Sequence, residues 1–197
     1  MKVGFIGLGK LGLTCAEAMA DKHEVTGYDI NDRISDKINV VTDLELAVQG
    51  QDIVFVAVPT PHHPNYDGSK PTAHLPNKDF NYDQLKQVLA EINEYVQGHA
   101  VVVLISTVLP GTIRRDLAPL VTNANFIYNP YLIAMGSIAW DMVNPEMIII
   151  GTHDGGSASA LNPKLRHDEK ILVDFYKTIM ENDPRYAVGT YEEAESI

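Results

Sequence analysis

Six residues near the amino end restrict the fold more than any other feature of this chain: Gly7-Leu8-Gly9-Lys10-Leu11-Gly12. They match G-x-G-x-x-G, follow an apolar run from Val3 to Ile6, and open an amphipathic stretch from Leu11 to Ala20. Strand, glycine turn and helix in that order are the context that gives the pattern meaning as a dinucleotide site. Gly7 permits the tight turn, a side chain at Gly9 would block a pyrophosphate, and Gly12 lets the helix lie close on the strand. The helix start offers N–H groups and a positive dipole end to phosphate. Lys10 and Leu11 lie within that start, Lys10 either pointing outward or reaching a phosphate. Asp29 closes the next apolar run, at about the spacing expected of the acid that holds an adenosine ribose. A carboxylate there would repel a 2′-phosphate, which favours NAD over NADP. Arg33 follows closely and is expected to cover the adenine or ribose edge.

The rest of the chain alternates in the same way. Strand-like runs are His23 to Tyr28, Ile38 to Val41, Ile53 to Val58, Val101 to Ile105, Asn125 to Tyr128, Glu146 to Ile150 and Tyr186 to Val188. Between them, helices are expected at Leu44 to Val48, Tyr82 to Val96, Thr112 to Leu120 and Leu165 to Met180. The inner face of the last is read as Leu165, Leu172, Phe175, Ile179 and Met180. Almost wholly apolar, β-branched strands belong to sheets covered on both faces. Strands alternating with helices predict an α/β fold with a doubly wound, mostly parallel sheet, Rossmann-like.

Two strand ends carry further motifs. Ile53 to Val58 runs into Pro59-Thr60-Pro61, and Val101 to Ile105 into Ser106-Thr107-Val108-Leu109-Pro110-Gly111-Thr112. Ligands of open α/β sheets bind at such ends. Val58, Pro59 and the hydroxyls of Thr60, Ser106 and Thr107 are therefore expected beside the nicotinamide half of the cofactor. The Pro-Gly-Thr turn is suited to presenting backbone N–H groups.

With the glycine fingerprint, V-A-V-P-T-P and S-T-V-L-P-G-T resemble the N-terminal domain of the UDP-glucose/GDP-mannose dehydrogenases, the nucleotide-sugar 6-dehydrogenases. Asp79-Phe80-Asn81-Tyr82 and the stretch from Asn129-Pro130-Tyr131 through Met135-Gly136, Asn144-Pro145 and Ile149-Ile150-Gly151 are similar to later family segments. Ala194-Glu195 falls where the family's long interdomain helix begins. The resemblance implies residues 1–190 as an NAD-binding domain and 191–197 as the start of that helix, with the second domain absent. It implies oxidation of a nucleotide-sugar primary alcohol to a carboxylate, two NAD being reduced, with a cysteine, a lysine and an asparagine that lie beyond this region. Thr107 and Tyr131 are the candidate catalytic positions. Tyr131 stands where the family has a glutamate that works on the water and thioester, and Met135 where it has a second glutamate. Tyr131 cannot act as a carboxylate base near neutral pH. The isolated chain is accordingly expected not to turn over UDP-glucose. Family members usually dimerise through the interdomain helix, so oligomerisation would depend on it. Two other readings stand beside this one: a β-hydroxyacid or 6-phosphogluconate-type dehydrogenase domain, which shares the glycine start, and a non-catalytic NAD-binding or assembly module that has lost its glutamates.

Composition excludes several classes. The 197 residues carry a net charge of −11, with 45% hydrophobic and 21% charged residues. That is the composition of a globular fold and not of a disordered chain. The acid excess argues against nucleic acid or an anionic membrane as partner. No apolar run reaches the roughly 18 residues of a spanning helix. The glycine-broken start reads as a buried strand and not as a signal peptide, and a cytoplasmic setting follows. The single cysteine, Cys15, forms no internal disulfide and reads as a core thiol. The loop from Pro59 to Asp79 holds His62, His63, His74 and Asp67, whose spacing matches no metal pattern, so no metal is expected. Gly155-Gly156 reads as a turn rather than a phosphate nest. Trp140 and Met142 are expected in the core.

Overall fold

Alternate residues of the central strands divide the core into two layers. The structure is a computed structural model that describes residues 1–155 and 167–197. Val3 and Phe5 of β1 (Lys2–Ile6), Ile53 and Phe55 of β4 (Ile53–Val56) and Val101 and Val103 of β5 (Val101–Leu104) face one way. They pack with Cys15, Ala16 and Met19 of α1 (Lys10–Ala20) and with Leu172, Phe175 and Tyr176 of α5 (His167–Ile179). Phe55 anchors this layer, its ring 5.8 Å from Phe5 and 5.4 Å from Phe175. Ile6, Val54, Val56, Val102 and Leu104 face the other way, against α2 (Leu44–Val48) and the Leu85, Leu89 and Ile92 stripe of α3 (Asp83–Tyr95). A strand buried on both faces has no need of a polar alternation, which is why these runs are continuous.

Among the described residues, eight strands form one sheet in the order β3-β2-β1-β4-β5-β6-β7-β8. The remaining strands are β2 (Glu24–Tyr28), β3 (Asn39–Val41), β6 (Asn125–Tyr128), β7 (Met147–Thr152) and β8 (Arg185–Thr190). All pairings are parallel except β6 with β7, which meet antiparallel at Tyr128 and Gly151. The chain leaves β1 toward β2 and β3, then returns to place β4 on β1's other side. The crevice between the β1 and β4 ends is the topological switch point, where such folds bind ligands.

Three expectations need correction. The stretch from Thr112 to Leu120 is not an ordinary helix: Ile113–Leu117 winds as a π-turn, in which the Ala118 N–H reaches the Ile113 carbonyl, and a 3₁₀ turn follows at Ala118–Leu120. The β4 strand ends at Val56, so Val58 already belongs to the loop. Trp140 is 64% exposed. It lies on the six-residue α4 (Ile138–Val143), whose Ile138 and Met142 face inward. Residues four apart share a helix face and those two apart do not, so Trp140 is turned outward. Leu165 and Gly156 lie outside the described residues.

Candidate active site: the crevice at the β1 and β4 strand ends

The fingerprint turn is built by close approach. A Cβ at Gly12 would lie 1.9 Å from the Gly7 carbonyl oxygen, and one at Gly7, where φ is +96°, 2.5 Å from the Ala57 oxygen. Packing alone requires those two glycines. At Gly9 a Cβ would meet nothing within 4 Å, so no protein atom requires glycine there. Gly9 is also the N-cap of α1, with extended backbone, no side-chain cap bond and no acidic residue in the first turn. The first N–H groups of an eleven-residue helix thus open beside free space, an arrangement that binds anions. Lys10 is exposed and Leu11 half-buried at this corner.

Asp29 is aimed at the same corner. Its Oδ2 accepts the Leu8 N–H at 2.8 Å, and its Oδ1 accepts the Asn31 N–H at 2.9 Å. Arg33 Nη2 stands 3.6 Å from Oδ1. Oδ1 also accepts from Asn31 Nδ2 at 3.1 Å, so of the about four acceptor sites of a carboxylate one remains, on Oδ2, for a ligand hydroxyl.

Across the switch point, two loops are stitched together. Thr60 Oγ1 donates to the Thr107 carbonyl at 2.6 Å, and Ser106 Oγ donates to the Val58 carbonyl at 2.6 Å. Ser106 is buried, Thr60 half-buried, and Pro59 and Thr107 are exposed. The hydroxyl protons of Thr60 and Ser106 therefore serve the protein, and the exposed hydroxyl is that of Thr107. The amides of the Pro-Gly-Thr turn and of Ile113 after it are likewise spoken for: Glu195 Oε2 accepts from Gly111 at 2.7 Å and Oε1 from Ile113 at 2.6 Å, and the Leu109 carbonyl accepts from Thr112 at 3.2 Å. They are bonded within the protein, where the sequence predicts a turn that presents them to a ligand.

Tyr131 is turned into the protein. Its hydroxyl lies 3.0 Å from that of Tyr176, which bonds Asn129 Oδ1, while Asn129 Nδ2 donates to the Ile149 carbonyl at 2.6 Å. Burial pushes the Tyr131 phenol well above its ordinary range, with the neighbouring Tyr176 and Cys15 acting the same way. The space beside it, lined by Asn129, Ile133, Met142 and Met180 among others, measures about 30 Å³. That admits a water and not a sugar.

A family model described as the UDP-glucose/GDP-mannose dehydrogenase family, NAD binding domain, matches residues 32–167. The chain belongs to this family. The match begins beyond the fingerprint and Asp29, so those residues support it independently. Two curated relatives are the UDP-glucose 6-dehydrogenase of Rickettsia prowazekii, 23% identical over 100% of this chain and 47% of its own length, and the GDP-mannose 6-dehydrogenase of Pseudomonas aeruginosa, 27% identical over 88% and 46%. Among solved structures, a ternary complex of GDP-mannose dehydrogenase from Pseudomonas aeruginosa superposes with a TM-score of 0.77 at 22% identity, covering all of this chain and 48% of that one. A UDP-glucose dehydrogenase from Pyrobaculum islandicum gives 0.76 at 23% identity, with 99% and 47% covered. The chain thus spans about half the length of the relatives it matches.

As an NAD-binding domain of the UDP-glucose/GDP-mannose dehydrogenase family, the chain has NAD as its cofactor, and its doubly wound fold is that of its structural neighbours. Among the described residues no helix is long and apolar enough to cross a membrane. Nor do three or more His, Cys, Asp or Glu side chains gather there as metal ligands. On the long loop Asp67 instead accepts the amide and hydroxyl of Ser69, and His63 Nδ1 takes the Asn65 N–H. Four structuring residues escaped the sequence reading: Tyr82, Tyr128, Tyr176 and Glu195. The last has a signal in the Ala194-Glu195 pair, whose resemblance to the start of the interdomain helix says nothing of the amides that Glu195 holds.

Proposed function

We propose that this chain is the cofactor half of a nucleotide-sugar 6-dehydrogenase, with the pyrophosphate of NAD on the Gly9, Lys10, Leu11 and Gly12 amides. Gly7 shapes the turn, Asp29 accepts from the adenosine ribose, and Arg33 steadies that carboxylate. Val58, Pro59, Thr60, Ser106 and Thr107 line the nicotinamide side. One observation carries this reading: Gly9 is a glycine that packing does not require, at the uncapped start of α1. Space that a Cβ would fill is the space a pyrophosphate needs. When bound, NAD supplies the hydride acceptor. The chain's own part is to hold it, orient it across the switch point and choose it over NADP through the Asp29 charge.

The domain is read as residues 1–190, with 191–197 opening the interdomain helix. Tyr191, Ala194 and Glu195 of α6 (Tyr191–Glu195) are buried against the domain, so that helix would leave from an anchored first turn. Its substrate would be a UDP- or GDP-sugar, in a cytoplasmic setting.

A second reading, a cofactor-binding or assembly module without catalysis, is favoured by Tyr131. A half-buried phenol whose hydroxyl is bonded to Tyr176 is not an acid-base group near neutral pH. Titration calorimetry of the 197-residue chain tests both. NAD and ADP-ribose are expected to bind, NADP at least about tenfold more weakly, and UDP-glucose or GDP-mannose to yield no NADH. The absence of heat with NAD would refute the cofactor assignment, and NADH formation would refute the inactivity of the isolated chain.

A further inference from the structure

We propose that Glu195 is a positioning residue for the nicotinamide half of the site, acting through the turn at residues 106–113. The proposal rests on the NAD reading of that crevice. Glu195 is buried, and each of its carboxylate oxygens accepts one turn amide, Gly111 at 2.7 Å and Ile113 at 2.6 Å. Hydrogen bonds to an ionised acceptor are short and roughly twice as strong as neutral ones.

The rest of the turn leaves no slack. The Leu109 N–H bonds the Tyr82 hydroxyl at 3.0 Å, and the Thr112 N–H the Leu109 carbonyl at 3.2 Å. Pro110 has none to place. Every backbone donor from 109 to 113 therefore has an acceptor, and two of the four depend on one side chain. The front of the same segment carries the ligand-side contacts: the Thr107 carbonyl holds Thr60, and Ser106 holds Val58. Directly behind it, Ile113–Leu117 is a π-turn, a rare geometry that is frequent at functional sites. Glu195 thus links α6 to the turn that carries these contacts at the ends of β4 and β5.

The adenosine side is built elsewhere, on the ends of β1 and β2, with Gly7 to Gly12 and Asp29. Loss of the Glu195 carboxylate strands the buried Ile113 N–H and the half-buried Gly111 N–H and frees the turn on one side of the switch point only. A ligand that spans the switch point senses that change, and one confined to the adenosine side does not.

The experiment is calorimetry with NAD and with ADP-ribose, which lacks the nicotinamide, on the unmutated chain, Glu195→Gln and Glu195→Ala. Glu195→Ala is expected to bind NAD roughly five- to tenfold more weakly, with ADP-ribose changed by less than about twofold. Glu195→Gln keeps one acceptor and is expected to fall between. Retained ADP-ribose binding shows that each variant is folded. NAD affinity unchanged in both variants, or ADP-ribose affinity falling in parallel with NAD, would overturn the positioning role. No heat from either ligand with the unmutated chain would overturn the binding reading beneath it.

Discussion

Asp29 and Leu8 are joined by a 2.8 Å hydrogen bond from the backbone N–H of the fingerprint turn to the carboxylate that ends β2. The acid that is expected to hold the ribose also holds the turn that is expected to hold the phosphates. Asp29→Asn retains an acceptor for Leu8 but loses the charge, whereas Asp29→Ala loses both. Both variants should weaken NAD and ADP-ribose alike, by roughly tenfold for Asp29→Asn and more for Asp29→Ala, since a hydrogen bond to a charged group contributes about 1.5–3 kcal/mol. Asp29→Asn should also narrow the preference for NAD over NADP. Calorimetry with the three ligands checks this, and an unchanged NAD to NADP ratio would remove Asp29 from the specificity argument.

The last two glycines of the fingerprint, Gly9 and Gly12, should separate folding from binding. Gly12→Ala forces a Cβ to 1.9 Å from a backbone oxygen, and overpacking of that kind costs about 1–3 kcal/mol or more. For a chain of this size that lowers Tm by several degrees, at roughly 2–4 °C per kcal/mol. Gly9 has φ −66° and open space around its Cβ position. Gly9→Val should therefore leave Tm within about 1 °C of the parent while abolishing measurable NAD binding. Thermal melts and calorimetry on the pair decide it. Full NAD affinity in Gly9→Val would mean that the space at Gly9 is not used.

The parts legible in the sequence were those that local physics determines. β4 and β5 are apolar throughout because both faces are covered, and Gly7 to Gly12 is a short-range pattern with a steric cause. The parts that were not legible depend on partners far along the chain. Glu195 reaches its amides across 84 and 82 residues, and Ser106 spends its proton on a carbonyl 48 residues away. Hydrophobicity alone could not orient Trp140, because a six-residue helix is too short for a periodicity to show which side is inside. The π-turn after Thr112 has no compositional signature at all.

Tyr176 should matter more to stability than Tyr131. Its hydroxyl bonds Asn129 and also meets Tyr131 at 3.0 Å, so Tyr176→Phe strands a buried Asn129 oxygen and the Tyr131 hydroxyl together. Tyr131→Phe removes only the outer end of the chain. Expected losses are about 1–3 kcal/mol for the first and under about 1.5 kcal/mol for the second, read as denaturant midpoints at constant m. The reverse order would mean that the Tyr131 hydroxyl has another partner in solution.

Cys15 should be chemically inert in the folded chain. Burial pushes its thiol up to about 12, so near pH 8 roughly one molecule in ten thousand carries the thiolate, the form that reacts. Alkylation by iodoacetamide should require opening of the α1 layer and should follow the global unfolding equilibrium as denaturant is added. Rapid labelling of native protein, followed by mass spectrometry, would show that α1 opens on its own.

Arg114 and Glu192 should give the carboxyl end an acid-sensitive anchor. Arg114 Nε lies 2.5 Å and Nη2 3.0 Å from the two Glu192 oxygens, and the guanidinium also stands 5.5 Å from the Tyr191 ring centroid. The hydrogen bond from Arg114 holds the Glu192 carboxyl down at about 2, against 4.5 when free. A depressed carboxyl stabilises the fold above its free value, and that contribution disappears as pH falls from about 4.5 to about 2. Both side chains are more than one third exposed, at 38% and 45%, so solvent screening limits the effect to about 1 kcal/mol, or roughly 2–4 °C in Tm. Glu192→Gln should melt lower than the parent by that amount at pH 7. The gap should close between pH 4.5 and 2, because protonation removes the same charge from the parent. A gap that persists at pH 2 would assign the stabilisation to the hydrogen-bond geometry of the pair and not to its charge.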